Sequence, residues 1–196
     1  MREVVLGPVW LMQPIPYFGE ELEGDWICEP KYDGWRIQLI KCSNDEIKIF
    51  GRRLEKNPDW TKKLYYLAGK LKKILPSGTI LDAELCSDNG RRFIPSLFCP
   101  NPKAKPQIFV FDIIYLNNEF LGNKKLSERK QILKKEINFE EPFYYTEFEP
   151  LKDINEALKN AIKQNHEGII VKKLKSLYII SKDAPTATAD WRKIKT

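Results

Sequence analysis

The chain has 196 residues, 42% of them hydrophobic and 31% charged, an ordinary globular composition long enough for one well-buried core. No apolar run approaches the roughly 18–20 residues of a membrane span, and MREVVLGPVW at the start is broken too early by Gly7-Pro8 for a signal peptide, so a cytoplasmic protein without a membrane partner is expected. Four scattered cysteines and one histidine argue against a zinc site, a disulfide framework or two-histidine chemistry, while the net charge of +6 suits a polyanionic partner.

Period-2 apolar patterns dominate the chain. Trp35–Ile40 and Glu46–Phe50 read as strands joined by a Ser43-Asn44-Asp45 turn. Asn57-Pro58 reads as a helix cap with a first-turn proline, followed by Trp60, Leu64, Leu67, Leu71 and Ile74 at helical spacing. Thr79–Cys86 and Ile108–Leu116 are further strands, with Pro95–Pro106 a loop between them. A second helix is predicted from Ser127 to Ile137. A third starts at Asp153, which forms a capping box with Glu156 and is followed by Leu158, Ala161 and Ile162. Gly168–Lys173 and Trp191–Lys195 close the series as strands. Hairpins without strict βαβ alternation point to an α+β fold with antiparallel sheets flanked by helices, and no internal boundary divides residues 1–196.

The densest chemistry lies in Glu29-Pro30-Lys31-Tyr32-Asp33-Gly34-Trp35-Arg36. A lysine at a glycine turn among carboxylates and an arginine is either a solvated turn or a nucleophile. As a nucleophile Lys31 must lose its proton, and Arg36 is a candidate source of the positive field that assists this. Further segments follow: Phe50-Gly51-Arg52-Arg53, Leu81-Asp82-Ala83-Glu84-Leu85, Phe109-Val110-Phe111-Asp112, Glu167-Gly168-Ile169-Ile170-Val171-Lys172 and Asp190-Trp191-Arg192-Lys193-Ile194-Lys195. Taken singly these have ordinary readings. Phe111 sits in an apolar strand, where an aromatic is usually core. Alternating Lys193 and Lys195 often protect a strand edge. Asp33 shapes a turn, and His166 suits a surface or packing position.

In this order the segments resemble the nucleotidyltransferase motifs I, Ia, III, IIIa, IV and V of the covalent ligase and capping-enzyme superfamily, from about Glu29 to Lys195. The flavour is that of ATP-dependent DNA ligases, and of the ligase modules of bacterial end-joining systems in particular. The stretch Lys125-Leu126-Ser127-Glu128-Arg129 fits as well. The resemblance implies a nucleotidyltransferase (ATP-grasp-like) adenylation domain that uses ATP with Mg²⁺ or Mn²⁺. Lys31 would form lysyl-AMP, with Lys193 and Lys195 neutralising the α-phosphate. Glu29 would meet the adenine edge, Arg36 and Arg52 phosphate or ribose, and Glu84 ribose or metal. Phe111 and Ile170 would sandwich the base, and Glu167 would help hold the metal. The implied substrate is nicked double-stranded DNA, which suggests nucleoid association. The family's oligonucleotide-binding-fold domain with motif VI has no counterpart before Thr196, so a separate DNA-binding partner protein is a further expectation. Two local departures stand out: Ala83 separates the acids of motif III, and Ser181 replaces a glycine in Tyr178–Lys182. RNA ligases, guanylyltransferases and non-catalytic nucleotide-binding modules are the alternative readings.

Overall fold

Strand alternation sets the architecture, as seen in a computed structural model that describes residues 4–195. The first three residues of the N-terminal stretch weighed above as a leader thus lie outside the described residues. One sheet runs β4-β3-β5-β6-β7 and is antiparallel throughout, formed by β3 (Trp35–Lys41), β4 (Ile47–Gly51), β5 (Thr79–Ser87), β6 (Pro106–Leu116) and β7 (Glu119–Phe120). The short β8 (Phe143–Tyr145) joins β6 in parallel. The second sheet runs β1-β11-β10-β2-β9, from β1 (Gln13–Pro16), β2 (Trp26–Lys31), β9 (Glu149–Pro150), β10 (Gly168–Lys173) and β11 (Ala187–Lys195). Its β1/β11 pair is also parallel, so the expected antiparallel sheets carry two parallel pairings, at short strands that no hairpin connects.

Successive strand residues face opposite sides, and the apolar residues sort into three clusters accordingly. On β3 and β5, Ile37, Leu39, Leu81, Ala83 and Leu85 pack with Leu71 and Ile74 of α1 (Ala68–Ile74) and Leu133 of α2 (Leu126–Glu136). Between the sheets lie Leu11, Met12, Ile40, Ile80, Ile114, Tyr178 and Trp191. Behind the second sheet, Trp26, Ile169 and Val171 meet Ala161 of α3 (Ile154–Lys163). The facing residues of the two sheets that are polar line a cavity instead of a core.

The predicted helix starting at Asn57-Pro58 is not formed as such. Asn57 is left-handed at φ 45°, Asp59 bridges to Phe50, and short 3-10 turns at Leu54–Lys56 and Tyr65–Leu67 precede α1. Gly51 N–H donates to Pro58 C=O at 2.9 Å and Trp60 N–H to Ile49 C=O at 2.9 Å, so strand-edge bonds take backbone groups that a helix needs. Another 3-10 segment, Arg91–Phe98, runs into the start of the stretch predicted as loop. The other two helices stand as predicted, and Asp153 Oδ1 accepts from Glu156 N–H at 2.7 Å.

Candidate active site

Register in the second sheet aligns side chains on its inner face. Lys31, Gly168 and Lys195 form one row across β2, β10 and β11; Glu29, Ile170 and Lys193 form the next; Lys172 stands opposite Trp191. Gly168 has to be a glycine. Its φ is 147°, and an added Cβ would lie 2.0 Å from Ile194 C=O. The space left open lets Lys31 and Lys195 converge on the adjacent Glu167. Lys31 Nζ contacts Glu167 Oε2, while Lys195 Nζ lies 2.7 Å from Oε1. Burial alone would raise the Glu167 carboxyl, but hydrogen bonds from Lys195 and Lys31 hold it below the usual carboxylate range.

The opposite wall comes from the six-stranded sheet. Arg36 pairs with Glu84 in register, and a bulge between the Asp82 and Ala83 pairings leaves Phe111 as the extra residue on β6. Phe111 therefore does not join its buried neighbours Val110 and Asp112 but lines the cavity. Gly34 carries the motif turn down onto β5, since a Cβ there would come within 2.5 Å of Leu85 C=O and 2.7 Å of Glu84 Cγ. Burial between the sheets pushes the Glu84 carboxyl up to about 7, against the pull of Arg36 and Lys31.

Glu29, Lys31, Arg36, Arg52, Glu84, Phe111, Glu167, Ile170, Lys193 and Lys195 all line one cavity of about 860 Å³. Several have partners that sequence reading did not foresee. The Glu29 carboxylate, 2% exposed, sits 2.5 Å from Lys130 Nζ and 2.7 Å from Lys172 Nζ. Lys172 in turn lies 4.6 Å from the Phe111 ring centre and 4.1 Å from that of Trp191. Burial pushes its ammonium below the ordinary lysine value, with Glu29 opposing. Arg36 does not project an unopposed positive field toward Lys31. It is held in a two-pronged pair by Asp82, Nε to Oδ1 at 2.9 Å and Nη2 to Oδ2 at 2.6 Å. Tyr178 O–H donates to the same Asp82 oxygen at 2.6 Å, so the Tyr178–Lys182 segment acts through its tyrosine.

Asp82, Lys130, Lys172 and Tyr178 are thus site residues that sequence reading passed over. Asp82 and Lys172 lay inside quoted motifs, and a buried charge there was the available signal. Lys130 carried none, because a lysine on a short amphipathic helix reads as solvent-facing. The mouth is framed by Arg52, Arg53, Lys56, Trp60, Lys63 and Arg91. No group of three or more metal-ligating side chains gathers among the described residues. Glu84 and Glu167 both line the cavity and are carboxylates, the donor type that magnesium combines with water and phosphate oxygens.

Comparisons with known proteins agree on the family. The model of the "ATP dependent DNA ligase domain" family matches residues 12–195. A DNA ligase of Methanobrevibacter smithii is 31% identical over 188 residues, covering 86% of this chain and 33% of the relative. A probable DNA ligase of Dictyoglomus turgidum is 29% identical over 188 residues, covering 88% and 31%. The chain therefore spans about a third of the length of these curated relatives. Among solved structures, the ligase domain of M. tuberculosis LigD shares the fold at a TM-score of 0.70 and 18% identity, over 94% of this chain and 59% of that one. The bacteriophage T7 ATP-dependent DNA ligase, solved in complex with ATP, gives a TM-score of 0.60 at 17% identity, over 95% and 68%. Motif order, α+β fold and family match converge, and the chain belongs to the ATP-dependent DNA ligase domain family.

Proposed function

We propose that this chain transfers AMP from ATP to Lys31 and from there to the 5′-phosphate of nicked double-stranded DNA. The observation that carries the reading is the convergence of Lys31 and Lys195 on Glu167 beside a cavity walled by Phe111 and Glu84. In the first step the Lys31 Nζ lone pair attacks the α-phosphorus. A P–N bond forms, the P–O bond to pyrophosphate breaks, and Nζ gives up its proton. Glu167, already in contact with Nζ, stands to receive that proton and so orients the amine. Lys193 and Lys195 neutralise the α-phosphate oxygens, which is most of what such a transfer requires besides in-line geometry. Phe111 and Ile170 hold the base between them, Arg52 meets ribose or phosphate, and Glu84 meets the ribose. Arg36 is oriented by Asp82 toward the same region, and Glu29 fixes the Lys172 ammonium at the base end. Glu84 and Glu167 are the residues that would hold magnesium, which would supply charge neutralisation to the triphosphate.

Incubating the chain with ATP and Mg²⁺ and weighing it intact is expected to show one AMP adduct, lost in Lys31→Ala. An adduct that survives in Lys31→Ala overturns the assignment, and labelling by GTP in preference to ATP turns the reading toward a guanylyltransferase. The polypeptide of 196 residues, tested by itself, is expected to seal nicks weakly. Low salt, or an oligonucleotide-binding domain added in trans, should speed it. Efficient multiple-turnover sealing at physiological salt would show that this domain needs no such help.

A further inference from the structure

The cations around the cavity fall into two groups. Those in its depth are largely spoken for: Lys31 and Lys195 share Glu167, Arg36 has Asp82, and Lys172 has Glu29. At the mouth, Arg53, Lys56 and Lys63 are exposed and have no ion pair or side-chain hydrogen bond among the described residues. All three belong to the connection between β4 and α1. That connection is not a slack loop. It is folded back on β4 by the Gly51–Pro58 and Trp60–Ile49 backbone bonds and by the Phe50/Asp59 bridge. Asp59 Oδ1 accepts from Thr61 N–H at 2.9 Å, and Thr61 Oγ1 accepts from Ile49 N–H at 3.0 Å. Trp60 anchors it from below, so close to Gly51 that an added Cβ would lie 2.7 Å from the indole. Just beyond Lys63, Tyr65 is 73% exposed.

We propose that Arg53, Lys56 and Lys63 form a phosphodiester track that holds the DNA strand whose 5′-phosphate receives AMP. The proposal deepens the nick-sealing reading and rests on it for the identity of the acceptor. A single terminal phosphate is served by one or two convergent cations, as in the cavity depth. Three solvated cations spread along a rigid rim, with no acid among their partners, suit successive backbone phosphates instead. Each such contact releases condensed counterions, so the track has a signature that a structural role lacks, namely the salt dependence of binding.

The test measures binding of a labelled nicked duplex carrying a 5′-phosphate, across a range of KCl concentrations, in the Lys31→Ala background. No turnover is then involved, and a failure of lysine adenylation leaves this measurement intact. Replacing Arg53, Lys56 and Lys63 together by alanine is expected to weaken binding. The slope of log K against log salt should become shallower by about 2.7, three contacts at about 0.9 each. A control triple substitution of Lys152, Lys159 and Lys163, on and just ahead of α3 behind the other sheet, removes the same net charge and should change the slope far less. With Lys31 restored, AMP-adduct formation from ATP should stay within about threefold. An unchanged slope, or a slope lowered equally by the control, overturns the track. Adduct formation falling as far as DNA binding assigns the three cations to the nucleotide's outer phosphates and overturns it as well.

Discussion

Substituting Phe111 by alanine separates the two roles that an aromatic in an apolar strand can have. Its ring lines the cavity with the Arg36 guanidinium 5.4 Å from the ring centre. If it stacks on the base, Phe111→Ala should weaken ATP binding by about 5- to 150-fold, the equivalent of about 1–3 kcal/mol per stacked base. The same change should lower stability by less than the about 3–5 kcal/mol of a core phenylalanine. A large fall in melting temperature with unchanged nucleotide affinity would return Phe111 to the core. Asp82 is the reverse case. It is fully buried, and its removal strands the Arg36 charge and the Tyr178 hydroxyl together. Asp82→Ala is expected to destabilise the fold by about 3–5 kcal/mol in chemical denaturation. Tyr178→Phe, which leaves the ion pair intact, should cost only about 1–2 kcal/mol.

At the scale of elements, the turn that carries the chain from β2 in one sheet to β3 in the other and the β10/β11 pair together build the surroundings of Lys31. Gly168→Ala forces a Cβ into the Ile194 carbonyl. It should spread β10 from β11, destabilise the chain by at least about 1–3 kcal/mol and reduce lysine labelling through lost Lys195–Glu167 contact. A folded, fully labelled variant would contradict the register argument. Of the strands carrying this row, β10 and the end of β11 were legible from the sequence, whereas β2 with Lys31 was not read as a strand. The helices α2 and α3 were legible too, from their starts and apolar spacing. The 57–74 stretch was not, since apolar residues at helical spacing are equally served by 3-10 turns whose backbone is tied to a strand edge. The short β1 and β8 were missed because a four- or three-residue strand has no period, and its partner lies far along the chain. In the cavity, motif order brought together every residue it named. What it did not convey was pairing, such as Glu29 between two lysines, because buried charge compensation is decided by tertiary contact.

For the whole molecule, two buried carboxyls make stability depend on pH in opposite senses. The buried Asp112 pays the desolvation cost of burial, which would raise it, but Arg129, at 2.8 Å from Oδ1 and 2.9 Å from Oδ2, holds it below its ordinary value. Its contribution is therefore present above the unfolded pKa of about 3.9 and lost as pH falls through the lower native value. Glu84 is raised to about 7 from 4.5, so its cost is absent below 4.5 and grows as pH rises to about 7. The nucleotide-free chain should thus be most stable on the acid side of neutrality, and Glu84→Gln should flatten the decline between about pH 4.5 and 7 in thermal melts. A decline of the same size in Glu84→Gln would assign it to other groups. The parallel pairing of β1 with β11 has a consequence in time. Gln13 meets Ala187, and β11 sits between β1 and β10. Lys31 lies far ahead of Lys193 and Lys195 in the sequence, so its row is complete only once the distant β11 has docked. Such distant pairing is intrinsically slow. On the proposed reading Lys31 is idle until that pairing forms, and during refolding in the presence of ATP the AMP label should appear with a lag that matches the slowest folding phase.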